Sequence, residues 1–146
     1  MVDWKKVAVE DLRRYQHLKK SLSHIPQRIE TLEEYNLAVK GGMSGSEPVS
    51  GGTSTSEDRL ISNICERERL GHNYKAVKGL VDMIEEGLGM LNKTERLVLE
   101  RFYINRTQGY VDRLMDELGY EKSRVYQIKD DALHKFTVAM YGLIDL

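Results

Sequence analysis

The chain has 146 residues, and its 22 Lys and Arg against 23 Asp and Glu give a formal net charge of −1 at pH 7. This length suits one ordinary domain, or one small domain with an extended appendage. The near-neutral charge excludes nucleic-acid binding by net charge alone, so DNA binding would require a local basic surface. A single cysteine cannot form an intramolecular disulfide, and the sequence shows neither a charged-then-apolar leader nor an apolar run long enough to cross a membrane. We therefore expect a cytoplasmic protein without membrane contacts.

Few short alternating apolar segments and only two prolines predict an all-α chain. The first helix carries apolar residues at alternating steps of 3 and 4, which is the heptad spacing of coiled coils. This seam consists of Tyr15, Leu18, Leu22, Ile25, Ile29 and Leu32. Pro26 lies inside the pattern and has no N–H to bond back to Leu22, so we expect a kink or a restart of the helix near Ser23 to Ile25.

A Gly/Ser-rich insert at residues 41–56, GGMSGSEPVSGGTSTS, predicts a flexible loop. Ser56, ahead of Glu57 and Asp58, is a start signal for the next helix because its hydroxyl can cap free N–H groups. That helix carries a second heptad seam of Tyr74, Val77, Val81, Ile84, Leu88 and Leu91. We predict that residues 1–91 form a long antiparallel, coiled-coil-like helical hairpin; alternatively, the seams pair between chains in a homodimer.

Residues 92–146 have the pattern of three shorter helices. Asn92 with Glu95 three residues later resembles a capping box and predicts a helix start. A short amphipathic helix ends at Gly119, where a left-handed cap favours glycine, and a further helix begins near Lys122. Its apolar face consists of Val125, Ile128, Ala132, Leu133 and Phe136. Two helices joined by so tight a turn predict a helix-turn-helix domain, packed on the end of the preceding long helix.

The run from Leu91 to Phe136, with the pattern L…ER…VxxLxxELG…SRVYQI…AL.KF, resembles region four of bacterial sigma factors, which reads the upstream promoter element. Over the whole chain, the opening Asp3-Trp4, the Gly/Ser insert and the closing Tyr141-Gly142 resemble phage and prophage transcription regulators of the ArpU and RinA kind. The resemblance implies a helical N-terminal part followed by a sigma-like helix-turn-helix. It also implies a phage or prophage origin and action at promoters.

The resemblance places base contacts at the start of the last helix. The matching positions are Lys122, Ser123, Arg124 and Gln127, while Tyr126, Lys129, Arg113 and Tyr110 are candidates for contacts to the DNA backbone. Arg can bond bidentately to guanine and Gln to adenine, so these residue types suit a major-groove surface. Glu121 departs from the family, which usually has a capping Ser or Thr there, and its carboxylate would be repelled by phosphates.

Catalytic and metal sites are not expected. Cys65, Glu68 and His72 share one helical stripe, but the triplet spans two turns and supplies fewer than the four ligands of structural zinc. No phosphate-cradling glycine loop occurs, so we predict no enzyme activity and no cofactor.

We expect a DNA-binding transcription regulator that contacts double-stranded DNA, with or without host RNA polymerase. The alternatives are a small terminase-like DNA-packaging protein, or an adaptor that binds polymerase or a sigma factor without reading DNA.

Overall fold

The computed structural model describes the backbone of residues 1–43 and 52–142, and the side chains of residues 1–38 and 56–142. This part of the chain forms five α-helices and no strand, which confirms the all-α prediction. The helices are α1 (Trp4–Met43), α2 (Gly52–Gly89), α3 (Lys93–Leu99), α4 (Tyr110–Leu118) and α5 (Lys122–Tyr141). A π-helical turn, Glu100–Ile104, extends α3.

The long helices reach further than the sequence predicts. α1 continues through Pro26 without restarting, and α2 begins at Gly52, so Ser56 lies inside α2 and does not start it. Gly and Ser cost at most about 1 kcal/mol each in a helix, so a run of them weakens a helix without ending it. The centre of the predicted loop, residues 44–51, lies outside the described residues.

Contacts divide the chain into two compact units. Unit 1 comprises Met1–Leu18 and Gly79–Leu146, and unit 2 comprises Lys19–Lys78. This division differs from the predicted boundary after residue 91. The physical reason is that the first turns of α1 and the last turns of α2 share a core with the C-terminal helices, a tertiary contact that no local pattern announces.

The larger core of unit 1 joins α1, α2, α3 and α5. Its buried members are Ala8, Leu12, Ile84, Leu88, Leu91, Leu99, Ala132, Leu133 and Phe136. Packing of the C-terminal helices on the end of α2 is therefore confirmed, with α1 as an additional partner. α5 approaches α2 very closely at Gly87, where an added Cβ would lie 2.9 Å from Cε2 of Phe136.

The two ends of unit 1 are held together by aromatic and polar contacts. Trp4 in α1 stacks on Tyr141 in α5, with ring centroids 4.9 Å apart. The Tyr141 hydroxyl donates a hydrogen bond to Asp11, which is 2% exposed and also accepts one from Arg14 at 2.9 Å. Burial, together with the bond to Asp11, raises the pKa of Tyr141 to about 12.

A second core in unit 1 joins α4 and α5 to α3 and its π-helical extension, together called the α3 region, and consists of Val98, Phe102, Leu114, Val125 and Ile128. The predicted capping box that starts α3 is present. Asn92 Oδ1 accepts from the Glu95 backbone N–H at 2.8 Å, and Glu95 Oε1 accepts from the Asn92 N–H at 3.2 Å. A hydrogen bond from Lys135 lowers the pKa of Glu95 and outweighs the raising effect of burial.

Unit 2 contains the second half of α1 and the first half of α2. Asn63 Nδ2 donates to the Leu32 carbonyl at 3.0 Å, and Arg67 Nη1 lies 3.7 Å from Glu33 Oε1. Among the described side chains of this unit, only Asn36 and Asn63 are buried, and both are polar. The apolar seam of unit 2 is therefore only half covered.

Candidate nucleic-acid interface

The turn between α4 and α5 is set by one glycine. Gly119 adopts the left-handed conformation at φ 70° and ψ 29°, and its N–H donates to the Met115 carbonyl at 2.9 Å. A side chain at this position would cost about 1–2 kcal/mol because its Cβ would crowd the following carbonyl. Glu121 then has an extended backbone, and α5 begins at Lys122. The two helices are thus separated by three residues, at the boundaries that the sequence predicts.

The first two turns of α5 separate buried from exposed side chains. Val125 and Ile128 are buried in the smaller core of unit 1. Four predicted base-contacting residues are exposed: Lys122, Ser123, Arg124 and Gln127. We call these four residues the α5 surface. Their side chains are held at one end of a helix whose opposite face is fixed by packing, so their positions are defined by the core.

Arg124 and Gln127 already contact each other. Arg124 Nη1 donates to Gln127 Oε1 at 2.9 Å, and the Arg124 guanidinium carbon lies 5.9 Å from the centroid of the Tyr120 ring. Both contacts are made by exposed groups, so they can be exchanged for contacts to another molecule at little cost. Arg124 and Gln127 are about one helical turn apart in the backbone, and the bond holds the guanidinium next to the amide.

Tyr110, Tyr126 and Lys129 gather around one aromatic ring. The Phe102 ring meets Tyr110 and Tyr126 edge to face, with centroids 5.0 Å and 5.5 Å apart. Lys129 Nζ lies 5.9 Å from the Phe102 centroid and 5.7 Å from the Tyr126 centroid. These three predicted backbone-contacting residues therefore also stabilise the packing of α4 and α5 on the α3 region.

Lys129 is less accessible than the four residues of the α5 surface. Its side chain is 19% exposed, and its Nζ lies 2.5 Å from Asp130 Oδ1. Burial by itself lowers the pKa of Lys129, but the contact with Asp130 and the nearby Tyr103 and Tyr126 raise it above the usual value. The group keeps its proton, and much of its charge is balanced by Asp130.

Two further side chains lie at this surface and were not predicted from the sequence. Arg106 Nη2 donates to the Tyr110 hydroxyl at 2.7 Å, and its guanidinium carbon lies 4.7 Å from the ring centroid. Tyr120 lies under Arg124. The spacing of four residues in each pair was visible in the sequence, but both unpredicted residues fall in connecting segments, where helical spacing is not expected to apply.

The last of the predicted contacts, Arg113, is exposed on α4.

The charge of this region is nearly balanced. Residues 106–129 contain five Arg and Lys and four Asp and Glu. Glu121 is exposed and makes no side-chain hydrogen bond to cap α5. One acidic residue, Glu117, is paired with Arg101 at 3.2 Å. Electrostatic attraction for phosphate is therefore local, and it comes from exposed basic residues such as Arg113, Lys122 and Arg124.

Other kinds of site are not apparent in the described part of the chain. No group of three or more His, Cys, Asp or Glu there could hold a metal ion. None of its helices is long and apolar enough to span a membrane. A groove of about 450 Å³ lies beside α5 and is lined by polar residues that include Glu95, Arg124 and Lys135.

Comparison with known proteins gives no relative from which a role could be transferred. No family model matches this chain, and no curated protein or solved structure matches it.

Proposed function

We propose that this protein is a sequence-specific DNA-binding transcription regulator that reads a major groove with the α5 surface. One observation carries the proposal: Lys122, Ser123, Arg124 and Gln127 are exposed at the start of a helix that follows α4 after only three residues. A helix presented in this way fits the width of the major groove. The resemblance of this segment to sigma region four supports the same reading.

Each residue of the α5 surface has a chemical role in this proposal. Arg124 donates two hydrogen bonds to O6 and N7 of a guanine, and Gln127 bonds to N6 and N7 of an adenine. Their mutual bond of 2.9 Å is exchanged for these base contacts. Lys122 and Ser123, at the N-terminus of α5, bond to phosphate oxygens or to base edges.

The remaining predicted residues fix the register of the protein on DNA. Tyr126 is 37% exposed, and its hydroxyl can reach a phosphate while its ring stays packed on Phe102. Tyr110 and Arg113 on α4 contact the neighbouring backbone. Lys129 contributes least because Asp130 balances its charge. Such contacts hold the helix in place but carry no sequence information.

The nearly balanced charge of the region has a functional consequence. A single surface with so few unpaired cations gives a shallow salt dependence and weak binding by one chain. Self-association or contact with host RNA polymerase would raise the effective concentration on a promoter. Promoter action and a phage or prophage origin follow from the resemblance.

The same charge balance favours a second candidate, an adaptor that docks this surface on polymerase or a sigma factor without reading bases. Four acidic residues between 106 and 129 suit a protein surface better than a phosphate backbone. Retention of purified polymerase by the protein, together with no DNA of any sequence bound, would favour the adaptor.

The proposal is tested by selecting bound fragments from a random double-stranded library and measuring affinity for the selected site by fluorescence anisotropy. Arg124→Ala is expected to weaken binding by about 1–3 kcal/mol, which is about 5-fold to 150-fold. Arg96→Ala is the matched control, because Arg96 is an exposed arginine on α3 that pairs with Glu100. Equal affinity of the two variants would contradict the proposal.

A further inference from the structure

Unit 2 exposes apolar side chains that a pair of helices cannot cover. In the described parts of this unit, no apolar side chain is fully buried. Tyr35, Ile61 and Ile64 are exposed by 51%, 59% and 44%. An apolar groove of about 650 Å³, lined by Pro26, Ile29 and Tyr74 among others, opens elsewhere on the same unit. Helices with continuous apolar seams bury them against further helices, as in four-helix bundles.

The charges of unit 2 are divided between its two ends. One half, residues 19–29 and 70–78, carries five basic residues and no acidic one: Lys19, Lys20, Arg28, Lys75 and Lys78. The other half, residues 30–38 and 57–69, carries seven acidic residues and three arginines. We call these the basic half and the acidic half.

Contacts within the unit place each half at one level of both helices. Glu33 pairs with Arg67, and Asn63 bonds to the carbonyl of Leu32, so the acidic segments of α1 and α2 lie opposite each other. Ile29 of α1 and Tyr74 of α2 line the same groove. The basic segments of the two helices therefore also lie opposite each other. The sign of the charge therefore reverses in both helices at the same level, near residues 30 and 69.

This charge pattern indicates that a second copy of the chain covers the exposed apolar surface of unit 2. A second copy placed antiparallel about a two-fold axis near residues 30 and 69 would set each basic half against an acidic half. It would also bring the exposed Ile61 and Ile64 of each copy toward the apolar groove of the other. A parallel arrangement would set like charges together.

We infer that unit 2 is the self-association surface of this protein, and that two copies pair there antiparallel to form a four-helix bundle. Helical segments of about 20 residues are about 30 Å long. Two of them side by side present roughly 600 Å² per copy, near the lower end of specific interfaces. The dimer is therefore reversible and depends on salt. The inference goes beyond the proposed function because it requires no DNA.

The association is tested on the full chain without DNA by analytical ultracentrifugation. We expect a monomer–dimer equilibrium whose dissociation constant rises about tenfold between low and high salt. Arg28→Glu with Lys75→Glu is expected to raise the dissociation constant at least about tenfold at low salt. Lys5→Glu with Lys6→Glu in unit 1, the matched control, is expected to leave it unchanged. A monomer at about 100 µM, or equal effects of the two charge reversals, would overturn the inference.

A charge-exchange experiment tests whether the basic and acidic halves attract each other, because it predicts a gain of dimer affinity as well as a loss. Glu30→Lys with Glu34→Lys weakens the acidic half, and this variant is also expected to dissociate. Mixed with the variant of the basic half, it is expected to form heterodimers that are tighter than either homodimer. Mixtures that remain as weak as the separate variants, with unchanged helix content by circular dichroism, would overturn the inference.

Spin-label distances test the antiparallel orientation. Single cysteines replace the exposed His24 or Ala38 in a Cys65→Ser background. In the antiparallel dimer, the distance between a label at 24 and a label at 38 of the other copy is shorter than the 24–24 or 38–38 distance. In a parallel dimer the order is reversed, and that result would refute the arrangement.

Discussion

The close approach of α5 to α2 at Gly87 predicts the effect of Gly87→Ala on stability. An alanine Cβ at this position would lie 2.9 Å from Cε2 and 3.1 Å from Cδ2 of Phe136, and 3.5 Å from Cγ of Met140. Carbon atoms normally pack at about 3.5–4.0 Å. Phe136 is fully buried and cannot swing into solvent, so α2 and α5 must separate or the ring must leave its preferred rotamer.

Two opposing terms give the expected magnitude. Alanine favours the helix over glycine by about 0.5–1 kcal/mol, because glycine loses more backbone freedom on folding. Overpacking in a closely packed core costs about 1–3 kcal/mol. The two ranges combine to a net loss of up to about 2.5 kcal/mol, and we expect a loss of about 1 kcal/mol in the free energy of unfolding. Gly79→Ala, where an added Cβ meets nothing within 4 Å, is expected to stabilise unit 1.

Urea unfolding monitored by tryptophan fluorescence measures this difference. Trp4 is the one tryptophan of the chain, and it stacks on Tyr141 within unit 1, so its emission reports on this unit. We expect a lower midpoint for Gly87→Ala and a higher one for Gly79→Ala, with slopes unchanged. If Gly87→Ala is as stable as Gly79→Ala, then α5 does not approach α2 as closely as described.

Three further predictions concern the turn and the ends of α5. Gly119→Ala should destabilise unit 1 by about 1–2 kcal/mol through its left-handed backbone, and circular-dichroism melting should show no such loss for Gly89→Ala. Glu121→Ser should stabilise α5 by about 1 kcal/mol as a new cap and should tighten DNA binding, whereas weaker binding would contradict the assigned surface. The pKa of Tyr141 is 10.0 in the unfolded chain and about 12 in the folded protein, so the fold favours the neutral hydroxyl. Its contribution to the free energy of unfolding should be complete below pH 10 and should be lost as the pH rises through about 12. Unfolding followed through Trp4 should show no such loss for Tyr141→Phe; an equal alkaline loss in both proteins would exclude the hydroxyl of Tyr141 as its cause.

The boundaries of α4 and α5 were predictable because they depend on local signals. Gly119 marks the left-handed end of α4, and the spacing from Val125 to Phe136 marks the buried face of α5. The capping box at Asn92 is equally local. Exposure of Lys122 to Arg124 follows from the same periodicity, so most of the candidate surface could be predicted from the amino-acid sequence alone.

Other features depend on contacts between residues far apart in the chain. The stacking of Trp4 on Tyr141 joins residues near opposite ends, and no spacing rule indicates it. The Phe136 ring packs against α2 at Gly87, and a glycine inside a helical pattern does not by itself indicate such a contact. The packing of Tyr126 on Phe102 was also hidden, because an aromatic residue off the apolar face predicts exposure.

The most direct test of the proposed function is base discrimination by Arg124. Affinity is measured for the parent and for Arg124→Ala on the selected site and on each of its single-base-pair variants. We expect the parent to discriminate by about 1–3 kcal/mol at the base pair that Arg124 contacts, and the variant to lose discrimination there while keeping it elsewhere. An equal loss of affinity on every sequence, or unchanged discrimination at every position, would contradict direct reading of DNA by α5.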